Sequence, residues 1–371
     1  MANATLYSSM DAAGPGLRPA TGSAAYPAVT RLYGILVACL VTGYGAGATA
    51  KPGQGWILVH ASLPNGFTLQ APDGVFYVFY KGPNIDATSG SAGTHGCQVY
   101  MAESVSSPYT YPPTGTNIRS GDYSSNNSGE SARHWISFSN SSYPENKWFL
   151  VARGSQVLFF RDSYSWTITG GDSPSGSANN NSAMFFMGNV RLKDLSAPRS
   201  GPQCSIVQGG YSAANTVTGG TSCYSNYLGS SSELLNASSD SFGASSAACS
   251  RLRDFVSGVV EAGALQKTTA SPTKHGGVVM ARQAMLSFPA DIRLDPVDVW
   301  LAGSGSIGYV PGLFHGGRSC HYVTSDLLVA FGRGSGLSDV LVPVEIDGEP
   351  YLIIPTGYGS AFVSLLEKYW Q

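Results

Sequence analysis

The clearest periodicity in the chain lies in residues 26–41. Val29, Leu32, Tyr33, Leu36, Val37 and Leu40 recur at intervals of three and four, which predicts a short helix burying one stripe. Pro27 suits its first turn, where no hydrogen-bonded N–H is lost. Thr42-Gly43-Tyr44-Gly45 ends it, because glycine takes the left-handed cap conformation without a Cβ clash. Residues 1–25 are rich in Gly, Ala, Ser and Pro with little apolar rhythm, and predict an extended arm rather than core. Arms of this kind often become ordered against a neighbouring subunit.

From Gly55 the pattern changes to short β-prone runs. Residues 56–59, 66–69 and 75–80 predict strands, with Asp73-Gly74 turning the last two into a hairpin. Residues 97–101 add another, and the Pro, Gly, Ser and Asn tract 106–131 predicts a long surface excursion. Strand-like runs resume at 134–138, 147–151, 156–160 and 164–168, with Arg153-Gly154-Ser155 as a hairpin loop. The dense apolar run 184–188 suits a core strand or a sticky interface strand, core being the simpler reading. Residues 196–250 form another low-charge stretch of Gly, Ser, Asn and Thr, longer than an ordinary connection. Residues 249–265 show weak helical spacing through Leu252, Phe255, Val256, Val259 and Val260. Residues 277–285, 325–331, 340–346 and 351–354 are β-prone runs, the last two joined by the turn Asp347-Gly348-Glu349. Residues 362–370 close as a short helix or a packed tail.

Many short strands between glycine-rich turns predict a mainly β fold, a sandwich or barrel-like antiparallel core with a short N-terminal helix and long Gly/Ser-rich loops. Shifts in composition divide the chain into an arm (1–25), a helix plus first β-rich region (26–195), a polar loop or insertion (196–250) and a C-terminal β-rich region (251–371).

Charge sharpens this picture. Only 12% of the 371 residues are Asp, Glu, Lys or Arg, against 46 glycines and 20 tyrosines, so uncharged polar groups must cover much of the surface. The formal net charge of -2 gives no field to steer partners and little colloidal repulsion, which suits a subunit locked into an assembly. Basic residues gather no more densely than Arg191, Lys193 and Arg199, so direct nucleic-acid binding is not expected. The first residues lack a basic region followed by an apolar stretch, and the most apolar early run, 32–41, is too short to span a bilayer. Synthesis and folding in the cytoplasm are expected.

No residue set carries chemistry strongly enough to be assigned as catalytic, cofactor-binding or metal-ligating, and no cofactor is expected. His60, His95, His134, His275, His315 and His321 form neither HxH nor HExxH, and His315 and His321 are read as lying in a glycine-rich loop. Gly43-Tyr44-Gly45-Ala46-Gly47 lacks the Lys-Ser/Thr ending of a phosphate loop and follows a helix rather than a strand. Asp162, Asp172 and Asp194 cannot be paired across uncertain elements, and Gly303-Ser304-Gly305-Ser306-Ile307 reads as a loop, not a nucleophile elbow. Trp56, Trp135, Trp148 and Trp166 would suit a carbohydrate platform, yet they sit within apolar strands, where core packing is the simpler role. The cysteines at 39, 97, 204, 223, 249 and 320 contain no CxxC pair. Cys39, inside ILVACLV, reads as a small buried hydrophobe; Cys204 and Cys223 would pair only in an oxidising medium, and a reduced folding environment fits better.

Several segments carry a resemblance. Leu6-Tyr7-Ser8-Ser9-Met10-Asp11-Ala12-Ala13-Gly14-Pro15, the apolar helix at 32–41, Thr42-Gly43-Tyr44-Gly45 and Gly55-Trp56 are similar to the opening of a family of tailed-bacteriophage virion structural proteins. That family begins with a Tyr-Ser-Ser-x-Asp segment, an apolar helix, a Gly-Tyr-Gly and a Gly-Trp. Tyr309-Val310-Pro311-Gly312-Leu313-Phe314 resembles its Leu-Pro-Gly-Leu segment. The chain departs from the pattern at Val37-Ala38-Cys39 and Val41-Thr42-Gly43, where the family carries Asp and Asn. The resemblance implies a non-enzymatic component of a virion, in capsid decoration, a head-to-tail junction or a tail or baseplate. Its partners would be other virion proteins and copies of itself. The alternative expectation is a receptor- or glycan-binding tail module, motivated by the aromatic residues and adaptable polar loops.

Overall fold

The computed structural model describes residues 3–16, 28–80, 96–107, 114–116, 135–137, 148–161, 183–189, 191–192, 203–209, 249–253, 260–264, 278–281, 294–301, 305–316, 340–356 and 359–370. The helix α1 (Ala28–Leu36) widens into a π-helical turn over Val37–Thr42 and stops at Gly43, whose φ is +73°. Val29, Leu32, Ile35, Leu36, Cys39 and Leu40 are buried on it. Tyr33 and Val37, expected in the stripe, lie at its margin and pack against the core only in part. Cys39 is fully buried, and burial pushes its thiol far up from the ordinary value.

The fold is mainly β, built from several antiparallel sheets; among the described residues none closes into a barrel. A seven-stranded sheet runs in the order β1 (Thr5–Ser8), β9 (Trp148–Arg153), β10 (Gln156–Arg161), β11 (Ala183–Asn189), β13 (Gln203–Gly209), β14 (Cys249–Arg253), β15 (Val260–Ala264). A second runs β16 (Val278–Ala281), β17 (Leu294–Leu301), β18 (Gly305–Gly316), β21 (Gly359–Ser364), β20 (Glu349–Thr356), β19 (Val344–Ile346), with β12 (Arg191–Leu192) also on β18. The third runs β2 (Ile57–Ser62), β3 (Gly66–Gln70), β4 (Phe76–Tyr80), β5 (Gly96–Ala102), β8 (Trp135–Ser137). A small ribbon pairs β6 (Ser104–Ser107) with β7 (Thr114–Thr116).

The first sheet is the middle layer. Along β9 every side chain from Trp148 to Ala152 is buried, because successive residues of a strand face opposite sides and both sides are covered. Tyr7, Trp148, Leu150, Ala152, Val157, Phe159, Phe185 and Met187 face α1 and the third sheet, meeting Trp56, Phe67, Tyr77 and Phe79. Phe149, Val151, Leu158, Phe160 and Phe186 face the second sheet, meeting Val310, Leu313, Leu352, Val363 and Trp370. Stacked rings reinforce the register: Phe159 lies 5.0 Å from Phe185 and Phe149 lies 5.2 Å from Phe160. At about 1.5–3 kcal/mol for each fully buried large side chain, these two interfaces supply the main hydrophobic stabilisation.

The expected hairpins form. Gln70 pairs with Phe76 across Asp73-Gly74, and Arg153 with Gln156 across Gly154-Ser155. Ile346 pairs with Glu349 across Asp347 (φ +52°) and Gly348 (φ +76°), the two positive φ values that a tight hairpin with right-handed strand twist requires. Residues 184–188 lie within β11, where Phe185, Phe186 and Met187 are buried.

Three expectations give way. Residues 5–8 are not part of an arm: β1 pairs with β9, and Tyr7 is fully buried, because the edge of the middle sheet supplies hydrogen bonds that the local sequence does not advertise. The span 196–250 contains β13, a strand between β11 and β14. Residues 249–253 and 260–264 are strands rather than helix, since pairing with β13 and with each other outweighs weak helical spacing. Residues 362–370 do form the expected packed tail: after the end of β21 a 3-10 turn at Glu367–Tyr369 closes on Trp370, which is 1% exposed. The expected strands at 164–168 and 325–331, most of the excursion at 106–131, and the Cys204–Cys223 pairing lie outside the described residues or side chains.

Candidate functional site

The densest polar cluster among the described residues joins β1 to the loop between the helical segment and β2. After β1 the chain turns back, with Asp11 N–H donating to Ser8 O at 3.2 Å and Gly14 N–H to Asp11 O at 2.9 Å. This turn carries the Asp11 carboxylate back along the strand. After Gly43 the chain makes a small closed loop in which Tyr44 and Lys51 exchange backbone hydrogen bonds of 3.0 and 2.8 Å. Tyr44 and Lys51 therefore leave one position together and both reach Asp11.

Asp11 Oδ2 accepts from Ser8 N–H at 2.8 Å, from Lys51 Nζ at 2.7 Å and from the Tyr44 hydroxyl. Lys51 Nζ also donates to Leu6 O at 2.6 Å. The Tyr7 hydroxyl donates to Pro52 O and accepts from Gln54 Nε2 at 2.7 Å, and Gln54 Nε2 also reaches Thr5 Oγ1 at 3.1 Å. Gln54 Oε1 accepts from Gly154 N–H at 3.2 Å, and Trp56 Nε1 donates to Gly154 O at 2.8 Å. The network thus stitches β1, the 44–56 loop and the β9–β10 hairpin together.

The electrostatics follow the geometry. Burial works against a charged Asp11, but hydrogen bonds from Lys51, Tyr44 and Ser8 N–H, with the Lys51 charge, outweigh it and hold the carboxyl below its ordinary range. Burial, then the hydrogen bond to Asp11, pushes the Tyr44 phenol up; burial pushes Tyr7 up to about 12. Both phenols stay protonated and act as donors at neutral pH. An ionised carboxylate with three donors on one oxygen, beside a lysine already engaged twice, is an anchor rather than a free base or nucleophile.

A depressed carboxyl pKa stabilises the fold at pH above the unfolded value, ordinarily 3.8, and that contribution is lost as pH falls through the folded value. The urea midpoint of the wild-type protein is expected to drop as pH is lowered below about 4, and Asp11→Asn to remove part of that drop. Parallel pH curves for the two proteins would show that Asp11 carries none of it.

A second cluster fastens the last residues. Glu349 accepts from the hydroxyls of Tyr351 (2.9 Å) and Tyr369 (2.6 Å) and from Lys368 Nζ, and the Lys368 hydrogen bond leads in holding its carboxyl below the ordinary range. Arg153 pairs with Glu367, and Arg191 donates to Lys368 O at 2.9 Å. Trp370 Nε1 donates to Ser364 O at 2.8 Å, and the indole lies against Gly312, whose φ is +68°. Ala4 N–H donates to Leu365 O at 2.9 Å, joining the two clusters.

Of the residues weighed for chemistry, His60 sits half-buried on β2, and His315 lies in β18 rather than in a loop. Gly305, Ser306 and Ile307 also begin β18, since pairing with β17 extends the strand into the glycine-rich run. His95, His134, His275, His321, Asp162, Asp172, Asp194 and Trp166 lie outside the described residues. Trp56 and Trp148 are 2% and 0% exposed, so neither offers a face to a sugar; Trp135 lies on β8. Among the described residues no group of three His, Cys, Asp or Glu side chains could hold a metal ion, and no helix is long and apolar enough to cross a membrane. Lys51 and Gln54 were not foreseen. Their partners lie 40 and more positions away, and the only local hint is a lone cation in an uncharged glycine-rich loop.

No protein-family model matches the chain, and no curated protein matches it.

Proposed function

We propose that the chain is a non-enzymatic structural subunit of a tailed-bacteriophage virion, binding neighbouring virion proteins and copies of itself. One observation carries the reading beyond the sequence resemblance. The separated segments on which the resemblance rests meet in space: Ser8 N–H and Tyr44 both donate to Asp11, Tyr7 is bound by Gln54 just ahead of Gly55-Trp56, and Trp56 bonds the β9–β10 hairpin. Ser9 Oγ accepts from Trp148 N–H at 3.1 Å, and Gly312 of the Pro-Gly-Leu segment makes room for Trp370. Residues shared across a family for scaffolding are expected to do this: hold terminal segments and hairpins in register, with none needed for bond-making. The buried Trp56 and Trp148 weaken the case for the glycan-binding alternative.

Particles produced from the genome that encodes the chain provide the test. Density-gradient-purified virions are expected to contain the chain in multiple copies by quantitative mass spectrometry, with gold-labelled antibody marking one zone of the particle. A chain that stays in the soluble lysate and is absent from washed particles would overturn the proposal.

A further inference from the structure

The outward edge of β1 is occupied by side chains that imitate a strand. Ser9 N–H donates to Trp148 O at 3.0 Å, so antiparallel alternation turns the backbone groups of Thr5, Tyr7 and Ser9 toward β9 and those of Leu6 and Ser8 away from it. Lys51 Nζ donates to Leu6 O at 2.6 Å, and Ser8 N–H donates to Asp11 Oδ2 at 2.8 Å and to the Tyr44 hydroxyl at 3.3 Å. A cationic donor thus covers the outward acceptor of Leu6, and an anionic acceptor covers the outward donor of Ser8.

These two groups are also complementary to each other. Place a second copy's β1 antiparallel to this one, with the two-fold axis at Tyr7, and Leu6 of each copy faces Ser8 of the other. Leu6 O would take the second copy's Ser8 N–H where Lys51 now donates, and Ser8 N–H would reach the second copy's Leu6 O where Asp11 now accepts. Asp11 N–H, 3.2 Å from Ser8 O, would have to release that oxygen, whereas the Ala4–Leu365 bond lies outside the pairing. The strand Thr5-Leu6-Tyr7-Ser8 contains no charge or proline of its own to deter such an edge contact, and a net charge of -2 adds little repulsion.

We infer that the Lys51–Asp11 pair is an autoinhibitory cap on the middle sheet, blocking β1 from pairing with the β1 of a second copy of this chain. The inference stands apart from the virion proposal, since it concerns only this edge and a second copy. With the cap in place the sheet ends at β1; without it, one sheet runs through both copies.

The test compares full-length wild type with D11A/K51A by sedimentation velocity over a concentration series, with near-UV circular dichroism to establish native packing. The variant is expected to gain a concentration-dependent species of twice the wild-type mass. Adding Leu6→Pro, which removes an outward N–H without touching the β9 ladder, is expected to abolish that species. Should D11A/K51A lose its native near-UV signature, D11L/K51M, which keeps side-chain bulk while uncovering both Leu6 O and Ser8 N–H from the ion pair, carries the same comparison. A natively packed variant that shows no new association over the whole series overturns the inference, as does association that survives Leu6→Pro.

Discussion

Gly312→Ala is expected to lower the free energy of unfolding by about 3 kcal/mol, combining a left-handed backbone penalty with overpacking of a closed core. Gly312 has φ +68°, a region that a residue with a Cβ enters at a cost. A Cβ built there falls within overlap of Trp370 Cε2, Cζ2 and Nε1, and Trp370 has little room to yield. The indole is 1% exposed, packs in the core between the middle and second sheets, and donates from Nε1 to Ser364 O. Displacing it breaks that hydrogen bond and disturbs the turn that brings Tyr369 within 4.9 Å of Phe314 and onto Glu349. Urea unfolding followed by tryptophan fluorescence measures the loss. Gly348→Ala is the informative control: it carries a similar φ of +76° with nothing within 4 Å of its Cβ, so it should show the backbone penalty alone. Equal losses at the two sites would mean that the Trp370 contact contributes nothing.

Trp148→Ala is expected to cost more, about 4 kcal/mol, through the cavity left in the opposite core. Trp148 is fully buried, stacks 6.3 Å from Phe159 and donates from Nε1 to Pro15 O at 3.0 Å. Its backbone N–H and C=O are both bound by Ser9, so the side chain packs behind the strand that β1 docks upon. Truncation therefore removes an indole and leaves the Pro15 carbonyl without this donor. Trp148→Phe should recover part of the loss by keeping a ring against Phe159 while still lacking the Pro15 bond. The pair of variants separates packing from hydrogen bonding, and a Trp148→Ala protein as stable as wild type would contradict the three-layer arrangement itself.

Much of the strand content was readable locally. An apolar run such as 147–151 already announces a strand, and Asp73-Gly74, Gly154-Ser155 and Asp347-Gly348 announce their hairpins by turn chemistry alone. The helix was also readable, but its buried stripe runs through Ile35 and Cys39, with Tyr33 and Val37 at its margin, because the packing of the helix on the third sheet rather than its local spacing sets which face is central. The 249–265 region misled because apolar residues at mixed intervals fit a weak helix or two strands equally well, and only the pairing with β13 decides between them.

The polar network was legible as motifs but not as a site. Tyr7-Ser8-Ser9-x-Asp11, Gly43-Tyr44-Gly45 and Gly55-Trp56 each stand out in the chain, yet nothing local says that Asp11 meets Tyr44 and Lys51, or that Gln54 bridges β1 to the β9–β10 hairpin. The sequence by itself determined the β-rich class, the short helix and the sharp turns, because these depend on side-chain alternation, spacing and backbone freedom within a few residues. The tertiary structure alone decided that residues 5–8 are a capped edge strand and that the middle sheet is covered on both faces. Both outcomes depend on hydrogen bonds and buried contacts between segments far apart in the chain, whose energies no local window contains.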